Sequence, residues 1–268
     1  MKNIPRAFIL LAGPFLALIP AAQVAGQPVS STKSLIRKDT MTLWEARRKL
    51  AESIMRQDPK HSHMTIDPNS LRFTLDSFDF DAVCDKKHEH FTVDLKTLGP
   101  VRTPHHSNGD WRLKNEAGKD LPGPLGRLVF TYQGWDGFWQ FADALNGLRI
   151  FAGEAGNPLR NFAQQAAAWR ALSAKPSLAE NARILRLAAE DAIKRQKPDE
   201  ALNDFELGVQ ADPTWAQGWF NAALLAGELG FYNDAVEHMQ NYLELMPNAS
   251  DAQSARDQID LWKYKAGQ

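Results

Sequence analysis

The sequence predicts an α+β protein in which a small antiparallel sheet precedes a set of helices. Hydrophobic and polar residues alternate in several short segments between Leu71 and Tyr132, which is the period of a half-buried strand. Helical spacing replaces this alternation after Tyr132, and a 34-residue internal repeat occupies the C-terminal part of the chain. A length of 268 residues with 44% hydrophobic content is sufficient for buried cores.

The first 26 residues have the organisation of a cleaved secretory signal. Two cations precede an apolar run that ends at Ile19, and small residues follow as far as Gly26. The run is shorter than the ~20 apolar residues of a membrane-spanning helix, and Gly13 and Pro14 interrupt it. We therefore expect a periplasmic or secreted protein with no integral membrane segment in the mature chain, and an uncleaved anchor is the alternative.

Residues 27–66 are predicted to contain a polar linker and one N-terminal helix. Helical spacing begins after Thr42 and continues to about Arg56. Thr42 at the N-cap position and Glu45 three residues later have the pattern of a capping box. Pro59 ends the helical pattern because proline lacks the amide proton that a helix needs.

Residues 67–155 are predicted to form the sheet and the helix that covers it. Turn-forming residues separate four segments of strand character: LRFTLDSFDFDAV, HFTVDLKTLGPV, DWRLKN and GRLVFTYQ. The next segment, WDGFWQFADALNGLRIFAG, has an apolar stripe at helical spacing, so it should cap an otherwise open sheet. The residues of this stripe are Phe138, Phe141, Ala142, Leu145, Leu148 and Ala152.

This order of elements, together with the phrase FADALNGL, resembles a bacterial pleckstrin-homology-like (PH-like) domain. The resemblance implies a small antiparallel β-barrel with a C-terminal helix, acting as a ligand- or protein-docking module. An apolar cavity beneath the helix could then hold a lipid or another small ligand. Phosphoinositide head groups are not expected, because the segment has no loop dense in Lys and Arg.

The repeat covers residues 182–249, where Ala201 recurs as Ala235 and Pro213 as Pro247. The segment PTWAQGWFNAALLAGELGFYNDAVEHMQNYLELMP resembles the tetratricopeptide repeat (TPR). The resemblance implies two antiparallel helices in each of two repeats, at about 182–215 and 216–249, within an all-α TPR domain of residues 156–268. A capping helix is expected at 250–265.

Residue size explains why such a repeat would pack. Small residues such as Ala223 and Ala235 let the helix axes approach, and Trp219 fills the space between helices. Gly230 permits the turn between the two helices of the second repeat. Two repeats need flanking elements to bury their ends, and we expect helices at 157–174 and 250–265 to provide them. The capping helix should use Ala255, Ile259, Leu261 and Trp262.

The TPR resemblance also implies a concave face, lined by the first helix of each repeat, that holds a protein or peptide partner. Glu190 stands where chaperone-type repeats have an asparagine, and its negative charge would repel the carboxylate of a peptide C-terminus. A carboxylate clamp is therefore disfavoured. The residues placed on this face are Arg183, Arg186, Glu190, Lys194, Gln217, Phe220, Asn221, Leu224 and Glu228.

Catalytic motifs are absent from the sequence, which contains no GxSxG, HExxH or phosphate-binding glycine loop. We therefore predict no enzymatic activity, no catalytic residues and no cofactor. The segment VCDKKHEHF contains the only cysteine, Cys84, with His88 and His90, and six of the seven histidines lie between residues 61 and 106. Because two lysines interrupt this set, a hairpin end is favoured over a metal site. Metal-dependent activity at Cys84, His88 and His90 remains the alternative.

The charge is unevenly distributed along the chain. The net charge is −1, which gives no general attraction to nucleic acid, but residues 181–247 contain 5 cations and 11 anions. The sequence thus predicts an exported, non-enzymatic adaptor or scaffold that binds a protein or peptide partner in a bacterial envelope. It leaves open the identity of that partner and the oligomeric state.

Overall fold

A computed structural model describes residues 41–55, 64–67, 70–84, 86–101, 109–132 and 135–267. The predicted signal and linker lie outside the described residues, as do His61, His63, His105 and His106. Residues 38–268 belong to one compact unit. Its fold is α+β, with antiparallel strands followed by helices, as the sequence predicts.

The described residues contain eight α-helices. The first precedes the sheet, the second follows it, and the other six complete the chain. Their bounds are α1 Leu43–Met55, α2 Trp135–Gly153, α3 Phe162–Ala171, α4 Glu180–Lys194, α5 Pro198–Ala211, α6 Ala216–Glu228, α7 Tyr232–Leu245 and α8 Ala252–Ala266.

The six described strands form two antiparallel sheets. Their bounds are β1 Met64–Ile66, β2 Arg72–Phe73, β3 Ser77–Cys84, β4 Lys87–Asp94, β5 Gly109–Trp111 and β6 Phe130–Tyr132. Strand β3 is central, because β4 pairs with its whole length while β1 and β2 share its other side. Strands β5 and β6 pair only with each other in this part of the chain, so the described strands form two separate sheets that do not close into a barrel.

The segment LRFTLDSFDFDAV, predicted as one strand, contains two strands joined by a tight turn. Phe73 of β2 pairs with Phe78 of β3. At the turn the Thr74 hydroxyl accepts hydrogen bonds from the backbone amides of Asp76 (3.2 Å) and Ser77 (2.9 Å). Threonine and serine hydroxyls commonly stabilise turns in this way. The break in alternation at Asp76-Ser77 therefore marks a chain reversal.

Helix α2 buries the predicted apolar stripe, since each of its six residues is at most 4% exposed. The Phe141 ring lies 5.1 Å from that of Phe130 and 5.2 Å from that of Trp111, so aromatic side chains fill the space beneath the helix. On its other side α2 packs against α1, where Gly147 faces Ala46. The absence of a side chain at Gly147 lets the two helices approach closely.

Helices α4 to α8 form consecutive antiparallel pairs, which we call the helical array. Helices α5 and α7 begin and end 34 residues apart, at 198–211 and 232–245. The expected small contact residues are buried, and Gly230 has a φ of +84° in the turn between α6 and α7. In α8, Ala255, Ile259 and Trp262 are buried, but Leu261 is 45% exposed, so its predicted burial was wrong.

Trp219 of α6 is fully buried, and its indole Nε1 donates a hydrogen bond to the Pro213 carbonyl at 2.8 Å. Truncation to alanine leaves a large cavity, so we expect Trp219→Ala to lower the free energy of unfolding by about 3–5 kcal/mol. Chemical denaturation measures this change. The matched control is Trp139→Ala on α2, because Trp139 is 41% exposed and its loss should cost about 1 kcal/mol or less. Equal effects of the two substitutions would contradict the placement of Trp219.

Candidate functional site

The nine residues predicted for the concave face lie on α4 and α6, and none of them is fully buried. Their spacing of three and four residues places the members of each helix on one face. The opposite side of α4 is buried through Leu185 and Ala189, and that of α6 through Trp219 and Ala223. The structure thus leaves the predicted face of each helix accessible.

Hydrogen bonds along each helix pair many of the polar groups on this face. Arg186 donates to Glu190 at 2.6 Å, and Gln217 donates to Asn221 at 3.0 Å. Arg183 forms a bidentate pair with Glu180 outside the predicted set, and this contact holds the pKa of Glu180 below its usual range. These exposed contacts add little stability, and Lys194 and Glu228 are exposed at the helix ends.

The centre of the face is apolar. Leu224 is 39% exposed, and the half-buried Phe220 packs edge-to-face on Tyr242 with the ring centroids 5.0 Å apart. Glu190 neutralises Arg186 and Asn221 accepts a hydrogen bond from Gln217, so these groups do not form the cation and asparagine pair of a carboxylate clamp. The face offers an apolar centre flanked by polar groups, which suits the middle of an extended segment.

The docking of helix α1 on the array was not predicted from the sequence. Residues 198–255 contain ten Asp and Glu residues and no Lys or Arg. Several of the cations that pair with them come from the N-terminal helix α1, whose sequence includes Arg47-Arg48-Lys49. The Arg48 guanidinium donates to Glu206 of α5 and to Asp234 of α7, each at 2.7 Å. Helix α1 therefore docks on α5 and α7, which are the second helices of the α4–α5 and α6–α7 pairs.

Glu206 is the centre of this contact and is fully buried. Its carboxylate accepts hydrogen bonds from Arg48 and from the Thr42 hydroxyl at 2.5 Å, and one of its oxygens lies 3.4 Å from His238 Nε2. Burial alone would raise the pKa of Glu206, but contacts with His238 and Arg48 hold it below its usual range. An ionised carboxylate in this position depends on these partners.

Aromatic packing and backbone capping complete the contact between α1 and the array. The Trp44 ring lies 5.4 Å from that of Trp219 and 4.6 Å from that of His238. At the helix start, the Leu43 amide donates to the Gln210 side chain of α5 at 2.7 Å. The Thr42 hydroxyl accepts from the Glu45 amide as predicted, although the Glu45 carboxylate pairs with Lys49.

Further ion pairs extend the same arrangement. Arg47 of α1 donates to Glu237 of α7 at 2.8 Å, and Arg170 of α3 donates to Glu244 at 2.9 Å. Helices α1 and α3 thus supply cations to the acidic helix α7. Beside α1 lies a cleft of about 990 Å³, in which Arg47, Arg48 and Lys49 are paired with neighbouring carboxylates.

The segment VCDKKHEHF forms the end of the β3–β4 hairpin, as favoured from the sequence. Cys84 pairs with Lys87 across the strands, Lys86 lies in the turn with a φ of 69°, and His88 faces Val83. Because side chains alternate between the faces of a strand, Cys84 lies on the face opposite to His88 and His90. The structure does not bring these three side chains together, and no group of metal ligands occurs among the described residues.

His90 instead pairs with Asp81 on the neighbouring strand, with Nδ1 and Oδ1 2.7 Å apart on an exposed surface.

No protein-family model matches the sequence, and no curated protein matches it either. In the part of the chain that the structure describes, no helix has the length and apolar character needed to cross a membrane.

We expect Arg48→Ala to lower the free energy of unfolding by about 3–5 kcal/mol, because it leaves Glu206 buried without its cation. Lys49→Ala is the control at the next position, where an exposed pair with Glu45 should contribute about 0.5 kcal/mol. Denaturant titration of both variants measures the difference. An effect of Arg48→Ala below about 1 kcal/mol would show that the ion pair does not anchor α1.

The stability of the protein should depend on pH through the protonation of the Asp234 carboxyl. Burial raises the pKa of Asp234 to about 6 in the folded protein, against an ordinary value of 3.8. The folded state then binds a proton more readily than the unfolded state, so stability from this group rises as the pH falls from above 6 towards 4. Between pH 7.5 and pH 5 we expect a gain of about 1 kcal/mol that Asp234→Asn removes. Identical pH profiles for both proteins would contradict this assignment.

Proposed function

We propose that the protein is an exported, non-enzymatic adaptor in which a TPR array carries a partner-binding face and is joined to a PH-like domain. Its partner is a protein or an extended peptide in the bacterial envelope, bound by the face of α4 and α6 defined above. The observation that carries the proposal is the contrast between the two sides of the array. The second helices are covered by α1 and α3, whereas the first helices keep an accessible row with an apolar centre.

Several features support a TPR assignment for the array. The 34-residue offset of α5 and α7 has the period of this repeat family. Buried alanines occupy the positions where the helix axes meet, and a positive-φ glycine lies between α6 and α7. Arrays of this kind bind by shape and distributed contacts, which agrees with a face whose apolar centre is flanked by polar groups.

The PH-like domain has less support as a ligand-binding module. The aromatic side chains beneath α2 pack against one another, with Phe141 between Phe130 and Trp111. A lipid or small-ligand site beneath this helix would require these rings to move apart. We therefore assign partner binding to the array, and assign to the β-strands and α2 the role of holding α1 against it.

Peptide selection tests the proposal directly. A display library of random peptides is selected against the intact mature protein, and the affinity of an enriched peptide is measured by fluorescence anisotropy. We expect Leu224→Arg to weaken binding by about tenfold or more, because it places a charge in the apolar centre of the face.

The control is Ile150→Arg on α2, which changes a residue that is 56% exposed and lies outside the array. It should leave the affinity unchanged, and both variants should keep the melting temperature of the parent protein. Peptide binding that is insensitive to Leu224→Arg, or that Ile150→Arg reduces equally, would contradict the assignment of the binding face.

A further inference from the structure

A small cavity of about 240 Å³ lies where helix α1 meets the β-strands and the array. Its walls come from α1, the turn after β2, the start of α3 and helix α7. Most of the lining is apolar and includes Leu43, Phe73, Leu75 and Phe162. The volume is below the ~300–1000 Å³ of sites for drug-sized ligands, so the cavity fits a molecule with a single ring or a short branched chain.

Two side chains in the lining have an N–H group without a partner. Trp44 is fully buried, and its Nε1 has no hydrogen-bond acceptor among the described residues. Arg47 is 6% exposed and donates through Nη1 to Glu237, but its Nε has no acceptor in the same part of the chain. A buried donor without an acceptor costs free energy, and such groups are rare in folded proteins. Two of them in the walls of one cavity indicate that its occupant supplies an oxygen acceptor.

The charges of the lining favour a neutral occupant. Arg47 and Glu237 are the charged residues of the described lining, and they neutralise each other at 2.8 Å. A ligand carboxylate would place a second anion beside Glu237, which is unfavourable. An amide avoids this repulsion, because its carbonyl oxygen accepts from Arg47 or Trp44 and its N–H group can donate to the Glu237 carboxylate.

We infer that this cavity binds a small neutral amide with an apolar substituent. The amide oxygen accepts hydrogen bonds from Arg47 Nε and Trp44 Nε1, and the substituent packs among the apolar side chains of the lining. The inference does not depend on the proposed partner-binding face, because the cavity and that face have no described residue in common.

Benzamide is the probe for this site, and NMR spectroscopy of the intact mature protein labelled with ¹⁵N is the measurement. The indole N–H signal of Trp44 reports on the cavity wall. We expect this signal to shift saturably, with a dissociation constant on the order of 1 mM for a ligand of about nine non-hydrogen atoms. Benzoate has the same ring and a negative charge, and it should bind about tenfold more weakly or less.

Two variants locate the bound probe. Arg47→Lys keeps a positive charge beside Glu237 but removes the Nε donor, so it should raise the dissociation constant of benzamide about fivefold or more. Leu75→Phe fills part of the cavity and should prevent binding. Lys49→Arg is the control, since it changes a cation of α1 outside the described lining and should leave the affinity unchanged.

The melting temperature of each variant shows whether its fold is intact. A Trp44 signal that does not shift up to about 50 mM benzamide would overturn the inference and leave water as the occupant. Affinity that neither Arg47→Lys nor Leu75→Phe reduces would place the probe elsewhere and overturn it equally. Benzoate binding as tight as that of benzamide would contradict the assignment of a neutral amide.

Discussion

The ion pair between Arg48 and Glu206 is the interaction on which the arrangement of α1 and the array depends. Glu206 lies in the interior of the array, where an ionised carboxylate is stable only with close partners. Its principal cation comes from a helix that lies about 158 residues earlier in the chain. The same α1 helix packs its opposite side against α2. One short helix therefore connects the strands and α2 to the array.

This constraint also explains which surfaces remain available. The second helices of the array are acidic and receive Arg47 and Arg48 from α1 and Arg170 from α3. Those contacts cover the side of the array that would otherwise carry unbalanced negative charge. On the first helices Arg186 pairs with Glu190 and Gln217 with Asn221, and Phe220 and Leu224 stay accessible. The proposed binding face is thus the side that the internal contacts leave open.

Local sequence patterns predicted the elements whose formation depends on residues close together in the chain. Helical spacing located α2 and its buried stripe, the Thr42 cap located the start of α1, and the 34-residue repeat located the turn at Gly230. The strands were predicted less well. Hydrophobic and polar residues alternate on both sides of Asp76-Ser77, and this pattern is the same whether the two residues interrupt one strand or form a turn between two strands. Barrel closure depends on pairing between distant strands, which hydrophobic alternation does not specify.

The contact between α1 and the array could not be read from periodicity, because Arg48 and Glu206 are separated in sequence and joined only by the fold. A charge signal was present, however, in the absence of Lys and Arg from residues 198–255 and their concentration at Arg47-Arg48-Lys49. The face of α4 and α6 was predicted from the TPR resemblance, and the spacing of its residues places them on one side of each helix. The exposure of Leu261 and the separation of Cys84 from His88 depended on tertiary packing and strand pairing.

A double-mutant cycle between Arg48→Met and Glu206→Gln tests the central claim most directly. Both substitutions keep most of the side-chain volume, so the cycle isolates the charge interaction. If the pair anchors α1 to the array, the single variants each destabilise the protein and the double variant recovers about 2–3 kcal/mol of the summed loss. Additive effects, with a coupling free energy below about 0.5 kcal/mol, would contradict the account.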